Sequence, residues 1–235
     1  MNHLSIIKYK ITSIEKSTDS VNIYRMEPIE KKLEFKPGQF VYIHIFDEQG
    51  NTIIKKPYSI ASSPSADYLE FCIKMVNGAM TSKLEKLMIG TDIGIEGPLG
   101  HFQYNEQKNV GLIASGTGVA PMLSILRDIA GKKLDGNFVL LYSTRTKETI
   151  IYQEEFERIQ KLNPKIKIII TLTREESEWN GEKGRINKEL ITKYIQDPKN
   201  TDWWMCGSMG MIKSMKEFLI ELKVDTKRIK MEGWG

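Results

Sequence analysis

The sequence predicts two structural parts in one chain of 235 residues: an antiparallel β barrel over residues 1–104 and a doubly wound parallel α/β sheet over 105–235. Three observations carry this reading. Residues 1–104 hold short alternating apolar runs separated by Gly, Pro and Asn turns, the signature of half-buried antiparallel strands. Later residues alternate apolar runs with amphipathic stretches. That alternation implies a parallel sheet, because each parallel connection needs a crossover helix. The polar run 104–109 separates the two textures.

Taken in order, residues 40–45 form a strand after the Pro37-Gly38 turn. Residues 69–74 alternate, with Leu69, Phe71 and Ile73 on one face. A helix is expected over 81–88, where Leu84, Leu87 and Met88 recur at helical spacing. Residues 92–98 form a strand that stops at Gly97-Pro98. Such short strands suit a small barrel. In the second part, residues 110–114 read as a buried strand, and Met122, Leu123, Ile125, Leu126 and Ile129 as the apolar side of a helix. Strands follow at 138–142, 166–172, 203–206 and 229–232, and helices at 152–162, 187–195 and 209–222.

The bulk numbers exclude several classes. A hydrophobic content of 40% with 27% charged residues is that of a folded soluble chain. No run approaches the roughly 18 apolar residues of a membrane span, and residues 1–10 lack the apolar core of a signal peptide. The two cysteines, Cys72 and Cys206, cannot build a disulfide scaffold or a four-thiolate cluster. They suggest a reducing, cytoplasmic compartment. His3, His44 and His101 have no metal-binding spacing. The net charge of +4 is spread along the chain. It describes either a solvated surface or a preference for an acidic protein partner, and no basic cluster interleaved with aromatics points to nucleic acid.

Two segments carry chemistry. Ser115-Gly116-Thr117-Gly118-Val119-Ala120-Pro121 joins a strand to a helix. Glycines permit a sharp turn, Pro121 suits a first helical turn, and the helix start offers free N–H groups to a pyrophosphate. Without the third glycine of the dinucleotide fingerprint, Gly116 and Gly118 also suit a purely structural turn. The other segment is Lys56-Pro57-Tyr58-Ser59. A flavin needs a planar partner, a polar group near its reducible nitrogen, and cations or amides for its phosphates. The segment offers each type, although Tyr-Ser in a strand is also ordinary β filling. Gly78-Ala79-Met80-Thr81-Ser82 opens a helix that could hold an anion or could be a plain cap.

With Gly97-Pro98-Leu99-Gly100-His101-Phe102 and Cys206-Gly207, these segments resemble the ferredoxin–NADP reductase superfamily, in order and over nearly the whole chain. The resemblance implies an NAD(P)H-dependent flavin oxidoreductase. Tyr58 would stack on the flavin ring, Ser59 would bond near its hydride-accepting nitrogen, and Thr81 and Ser82 would help hold the FAD pyrophosphate. Cys206 would approach the nicotinamide. Lys56 stands where the family carries arginine, which keeps the charge but loses the bidentate fork, so FMN stands beside FAD. Some relatives place a terminal aromatic over the flavin, a place for Trp234, which could equally pack on a sheet edge.

The second strand of the α/β part ends Tyr142-Ser143-Thr144-Arg145, with no carboxylate to favour NADH. Arg174, with Lys183 and Arg185, favours the 2′-phosphate of NADPH, while Glu175 and Glu176 oppose it. Electrons would leave for ferredoxin, flavodoxin or a partner redox enzyme. A subunit of a larger redox complex and a non-catalytic nucleotide-binding module are the alternatives.

Overall fold

The computed structural model describes residues 5–174 and 179–233. Its first half is a six-stranded antiparallel sheet made of β1 (Ile7–Thr18), β2 (Val21–Pro28), β3 (Phe40–Phe46), β4 (Thr52–Ser59), β5 (Leu69–Lys74) and β6 (Asp92–Leu99). The strand order is β4-β3-β6-β1-β2-β5. The sheet curls into a barrel that does not close, so β4 and β5 remain as its two edges. Tyr9, Ile11, Tyr24, Val41, Ile43, Phe71, Ile73, Ile93 and Ile95 fill its interior.

Three strands here, β1, β2 and β4, are not singled out in the sequence. In β1 the buried positions Tyr9 and Ile11 alternate, but the pairing with β2 slips between Ile11 and Ser13. That bulge inserts one residue and shifts the apolar phase. The helix expected over 81–88 is α1, Ala79–Leu84. It starts earlier because the Thr81 hydroxyl accepts the Gly78 N–H at 3.0 Å. It also stops earlier, since Lys86 and Leu87 donate to carbonyls only three residues back.

The second half is a six-stranded parallel sheet in the order β10-β9-β8-β7-β11-β12. The strands are β7 (Asn109–Ser115), β8 (Asn137–Thr144), β9 (Ile166–Leu172), β10 (Glu182–Lys183), β11 (Asp202–Gly207) and β12 (Ile229–Gly233). The helices are α2 (Val119–Gly131), α3 (Gln153–Leu162), α4 (Lys188–Tyr194) and α5 (Met209–Glu221). The chain starts at β7, runs outward through β10, then returns to β11 on the other side. The order therefore reverses between β7 and β11, where an open α/β sheet forms its ligand crevice.

Helix α2 is buried almost all round, as expected of a helix covered on two sides. The parallel sheet lies on one side and the barrel on the other. The Ser124 hydroxyl donates to the Ser62 carbonyl at 2.7 Å across that boundary. Tyr104 packs edge-on to Trp204, with ring centres 5.8 Å apart. Among the described residues, no helix is long and apolar enough to cross a membrane.

Candidate functional site

The open seam between β4 and β5 forms a cleft of about 590 Å³, within the usual size of ligand pockets. β4 supplies Lys56, Pro57, Tyr58 and Ser59, and β5 supplies Cys72 and Lys74. Gly78, Met80 and Thr81 line it from the start of α1, and Thr117 and Ala120 from the parallel-sheet half. Pro57 is tolerated because β4 is an edge strand.

Each side chain has an identifiable environment. Tyr58 packs against the barrel core while lining the cleft. Burial pushes its phenol up to about 12, so the ring stays neutral and available for stacking. Lys56 and Lys74 are exposed at the cleft rim. Thr81 is buried, and its hydroxyl donates to the Gly78 carbonyl at 3.2 Å. Ser82 lies one residue beyond the lining, with its N–H bonded to the Gly78 carbonyl at 2.9 Å. Burial also raises the Cys72 thiol far above its usual range.

The turn after β7 sits at the switch point. Gly116 has φ +53 and open space around it, the left-handed conformation that glycine adopts most cheaply. Gly118 has an ordinary helical φ of −62. Its need for glycine is contact: a Cβ there would stand 2.3 Å from the Cys206 carbonyl oxygen. The close approach that the sequence suggests for a ligand is therefore first an approach of the chain to itself. Val119 and Pro121 are buried at the start of α2 and do not line the cleft.

Cys206 is fully buried behind Gly118 and also lies off the cleft lining. Gly207, with φ +153, faces the Ser115 hydroxyl so closely that a Cβ would stand 2.2 Å from that oxygen. The Ser208 N–H donates to the same hydroxyl at 3.3 Å. These contacts join the carboxyl ends of β7 and β11.

Arg145, Arg174, Lys183 and Arg185 are exposed at the carboxyl edge of β8, β9 and β10. The Arg174 N–H donates to the Arg145 carbonyl at 2.8 Å, and Gly184 ties the following segment to the Leu172 carbonyl at 2.8 Å. Glu175, Glu176 and Trp234 lie outside the described residues.

The sequence reading misses Glu232, on β12 beside Cys206 in register. One carboxylate oxygen is buried without a hydrogen-bond partner. The other lies near Gly100, where a Cβ would come within 3.4 Å of it. Burial raises this carboxyl from its usual 4.5 to about 7. Only its place near the end of an apolar strand could have drawn attention to it. The folded chain holds this proton more tightly than the unfolded chain does. Its stabilising contribution is thus complete below pH about 4.5 and is lost as pH rises through about 7. The melting temperature of the wild type, relative to Glu232→Gln, is expected to fall across that window. A pH-independent difference would remove Glu232 as a titrating group there.

The arrangement suits a flat aromatic ligand with an anionic tail. Tyr58 offers a ring at the wet edge of a dry wall, Lys56 and Lys74 offer charge, and open space surrounds Gly116. A family described as the oxidoreductase FAD-binding domain matches residues 8–104. One described as the oxidoreductase NAD-binding domain matches residues 112–217. Sulfhydrogenase 1 subunit gamma of Pyrococcus furiosus is 32% identical over 230 residues, covering 94% of this chain and 75% of that protein. NADH-cytochrome b5 reductase 2 of Mycosarcoma maydis is 30% identical over 177 residues, or 72% of this chain, which spans only 50% of that protein. A ferredoxin NADP+ reductase from Neisseria gonorrhoeae, solved with bound FAD and NADP, superposes with a TM-score of 0.82 at 21% identity, covering 97% of this chain and 98% of that one.

Proposed function

The chain belongs to the ferredoxin–NADP reductase superfamily, and on that premise we propose that it is a flavoprotein oxidoreductase using NAD(P)H as donor and a separate electron acceptor. One observation carries this reading. Thr117 and Ala120, from the switch-point turn and the helix it opens, share a cleft with Tyr58 and Ser59. A nucleotide held at that turn would therefore lie against a ligand seated on β4.

We take residues 1–104 as the FAD-binding barrel and 105–235 as the NAD(P)-binding domain. FAD supplies two-electron uptake and one-electron release when bound; FMN is the smaller alternative. Tyr58 stacks on the ring, Ser59 offers its hydroxyl, and Lys56, Gly78, Met80, Thr81 and Ser82 hold the tail. Gly116, Thr117, Gly118, Val119 and Pro121 form the nucleotide turn, backed by Cys206 and Gly207. Trp234 remains a proposed flavin lid.

The test is an anaerobic visible spectrum of the protein incubated with FAD, before and after NADPH or NADH. Flavin bands that bleach with either nucleotide are expected. A chain that takes up no flavin, or whose flavin is untouched by both, overturns the proposal and favours a non-catalytic nucleotide-binding module.

The acceptor is a ferredoxin, a flavodoxin, a cytochrome b5 or a partner redox enzyme. Exposed Lys74 at the cleft rim and the net charge of +4 favour an acidic partner. A second reading, an electron-transfer subunit of a larger complex, has its own support: the likeness to the sulfhydrogenase subunit runs over 94% of this chain. Cys72 and Cys206 are both buried and form no disulfide, which suits a reducing cytoplasm.

For the donor we propose NADPH, with NADH as the alternative that the named NADH reductases among the relatives favour. Arg174, Lys183 and Arg185 would meet the 2′-phosphate. A charge-assisted phosphate contact is worth about 1.5–3 kcal/mol. Arg174→Ala should therefore lower kcat/KM for NADPH by about tenfold or more and leave NADH nearly unchanged. Equal losses with both nucleotides, or a wild type that prefers NADH, would make Arg174 an ordinary surface charge.

A further inference from the structure

We propose that Arg127 and Glu70 are positioning residues that set the separation between the flavin seat on β4 and the nucleotide turn before α2. The proposal rests on the reading above of those two segments as ligand seats, and extends it to residues that line neither.

Glu70, on β5, has a side chain that is 0% exposed. Its two oxygens are divided between the domains. Oε2 accepts from Arg25 Nε of β2 at 2.8 Å, and Oε1 accepts from Arg127 Nη1 of α2 at 2.7 Å. Arg127 is itself 10% exposed and donates from Nε to Glu155 of α3 at 2.8 Å. Positive and negative groups therefore alternate from the barrel into the parallel-sheet half, through Arg25, Glu70, Arg127 and Glu155.

The same residues grip the chain just past the flavin seat. Arg127 Nη1 also donates to the Ala61 carbonyl at 3.0 Å, two residues after Ser59. Ser124, one helical turn earlier, donates to the Ser62 carbonyl at 2.7 Å. Glu70 closes the loop from the other side: its carbonyl accepts the Ala61 N–H at 2.8 Å, and its N–H donates to the Ser62 hydroxyl at 3.2 Å. Ala61 and Ser62 are thus clasped to the helix whose first turn lines the cleft.

Buried ion pairs are weak sources of net stability but strong sources of geometry. Sliding one partner away leaves an uncompensated charge in a dry interior, and the cost rises steeply with displacement. An apolar boundary of the same shape would let α2 glide over β5. The charged one holds a single register. A guanidinium is suited to this task because its fixed fork serves Glu70 and Ala61 from Nη1 and Glu155 from Nε, whereas an ammonium presents all its donors from one point.

The experiment compares wild type with Arg127→Lys and Ser124→Ala by three measurements. These are amide hydrogen exchange over residues 60–63, FAD affinity of the flavin-free protein, and the rate at which saturating NAD(P)H bleaches the flavin. In Arg127→Lys, exchange at 60–63 should rise and bleaching should slow by roughly tenfold to a hundredfold, the usual scale for a misplacement near 1 Å. FAD affinity should stay within about threefold of wild type. Ser124→Ala should move exchange and bleaching in the same direction by less.

Wild-type exchange and bleaching in Arg127→Lys would overturn the proposal. So would a fall in FAD affinity as large as the fall in rate, because that pattern belongs to a damaged seat. If Arg127→Lys does not fold, Ser124→Ala decides by the same criteria. A wild type that never bleaches overturns the functional reading instead, and exchange at 60–63 then decides the clamp alone.

Discussion

Gly118→Val is expected to abolish nucleotide-dependent flavin reduction and to destabilise the chain by about 3 kcal/mol or more, at the upper end of overpacking. A Cβ at this position would stand 2.3 Å from the Cys206 oxygen, 2.6 Å from its carbonyl carbon and 2.8 Å from the Gly207 nitrogen. All three are backbone atoms, so no side chain can swing aside. Relief requires β11 to move, and β11 is held in register between β7 and β12, with Cys206 opposite both Ala114 and Glu232. The displacement would open the switch point and carry Glu232 with it. Gly116→Ala is the control. Its Cβ meets open space, so it should cost only the ~1–2 kcal/mol of left-handed backbone. Urea denaturation of both variants, beside anaerobic bleaching, checks the pair. An unfolding midpoint for Gly118→Val equal to wild type would refute the contact.

How far the sequence exposes this molecule depends on whether the information is local. The parallel half is legible because β7, β8 and β11 are continuous apolar runs, each followed by a helix. One edge strand of each sheet is not. β4 has no fully buried residue and shows no alternation, and β10 has two residues. Motifs 56–59, 78–81 and 116–118 are legible because each offers its chemistry within one turn or strand. That they share a cleft is not, because it depends on a seam that only tertiary pairing creates. The strand 69–74 shows the limit most directly. Its alternation puts Leu69, Phe71 and Ile73 on an inner face and implies that Glu70 and Cys72 face water. In the folded chain both are buried: Cys72 joins the cluster built around α2, and Glu70 meets Arg127 of that helix, 57 residues away. A polar residue on a strand reads as solvent-facing unless its buried partner is known.

Glu70→Ala follows from that hidden pairing, and it should cost about 3–5 kcal/mol, the scale for leaving a buried charge without its partner. Arg127 is the charge left behind, at 10% exposure and still tied to Glu155. Arg25→Ala should cost much less, near ~1 kcal/mol, because Arg25 is 44% exposed and water already screens its pair. The larger loss falls on the boundary between the two halves, so it should also weaken their cooperation. All four tryptophans, Trp179, Trp203, Trp204 and Trp234, lie in the second half. Tryptophan fluorescence therefore reports mainly on the parallel half and, through Trp204 against Tyr104, on its boundary, while far-ultraviolet circular dichroism follows both halves. In wild type the two probes should give one coincident denaturation curve, as for a single cooperative unit. In Glu70→Ala the curves should separate, with dichroism falling first as the barrel loses its hold on α2. Coincident curves in Glu70→Ala, with a midpoint near wild type, would mean that the apolar contacts of α2 alone join the halves and that the buried charges add nothing to their union.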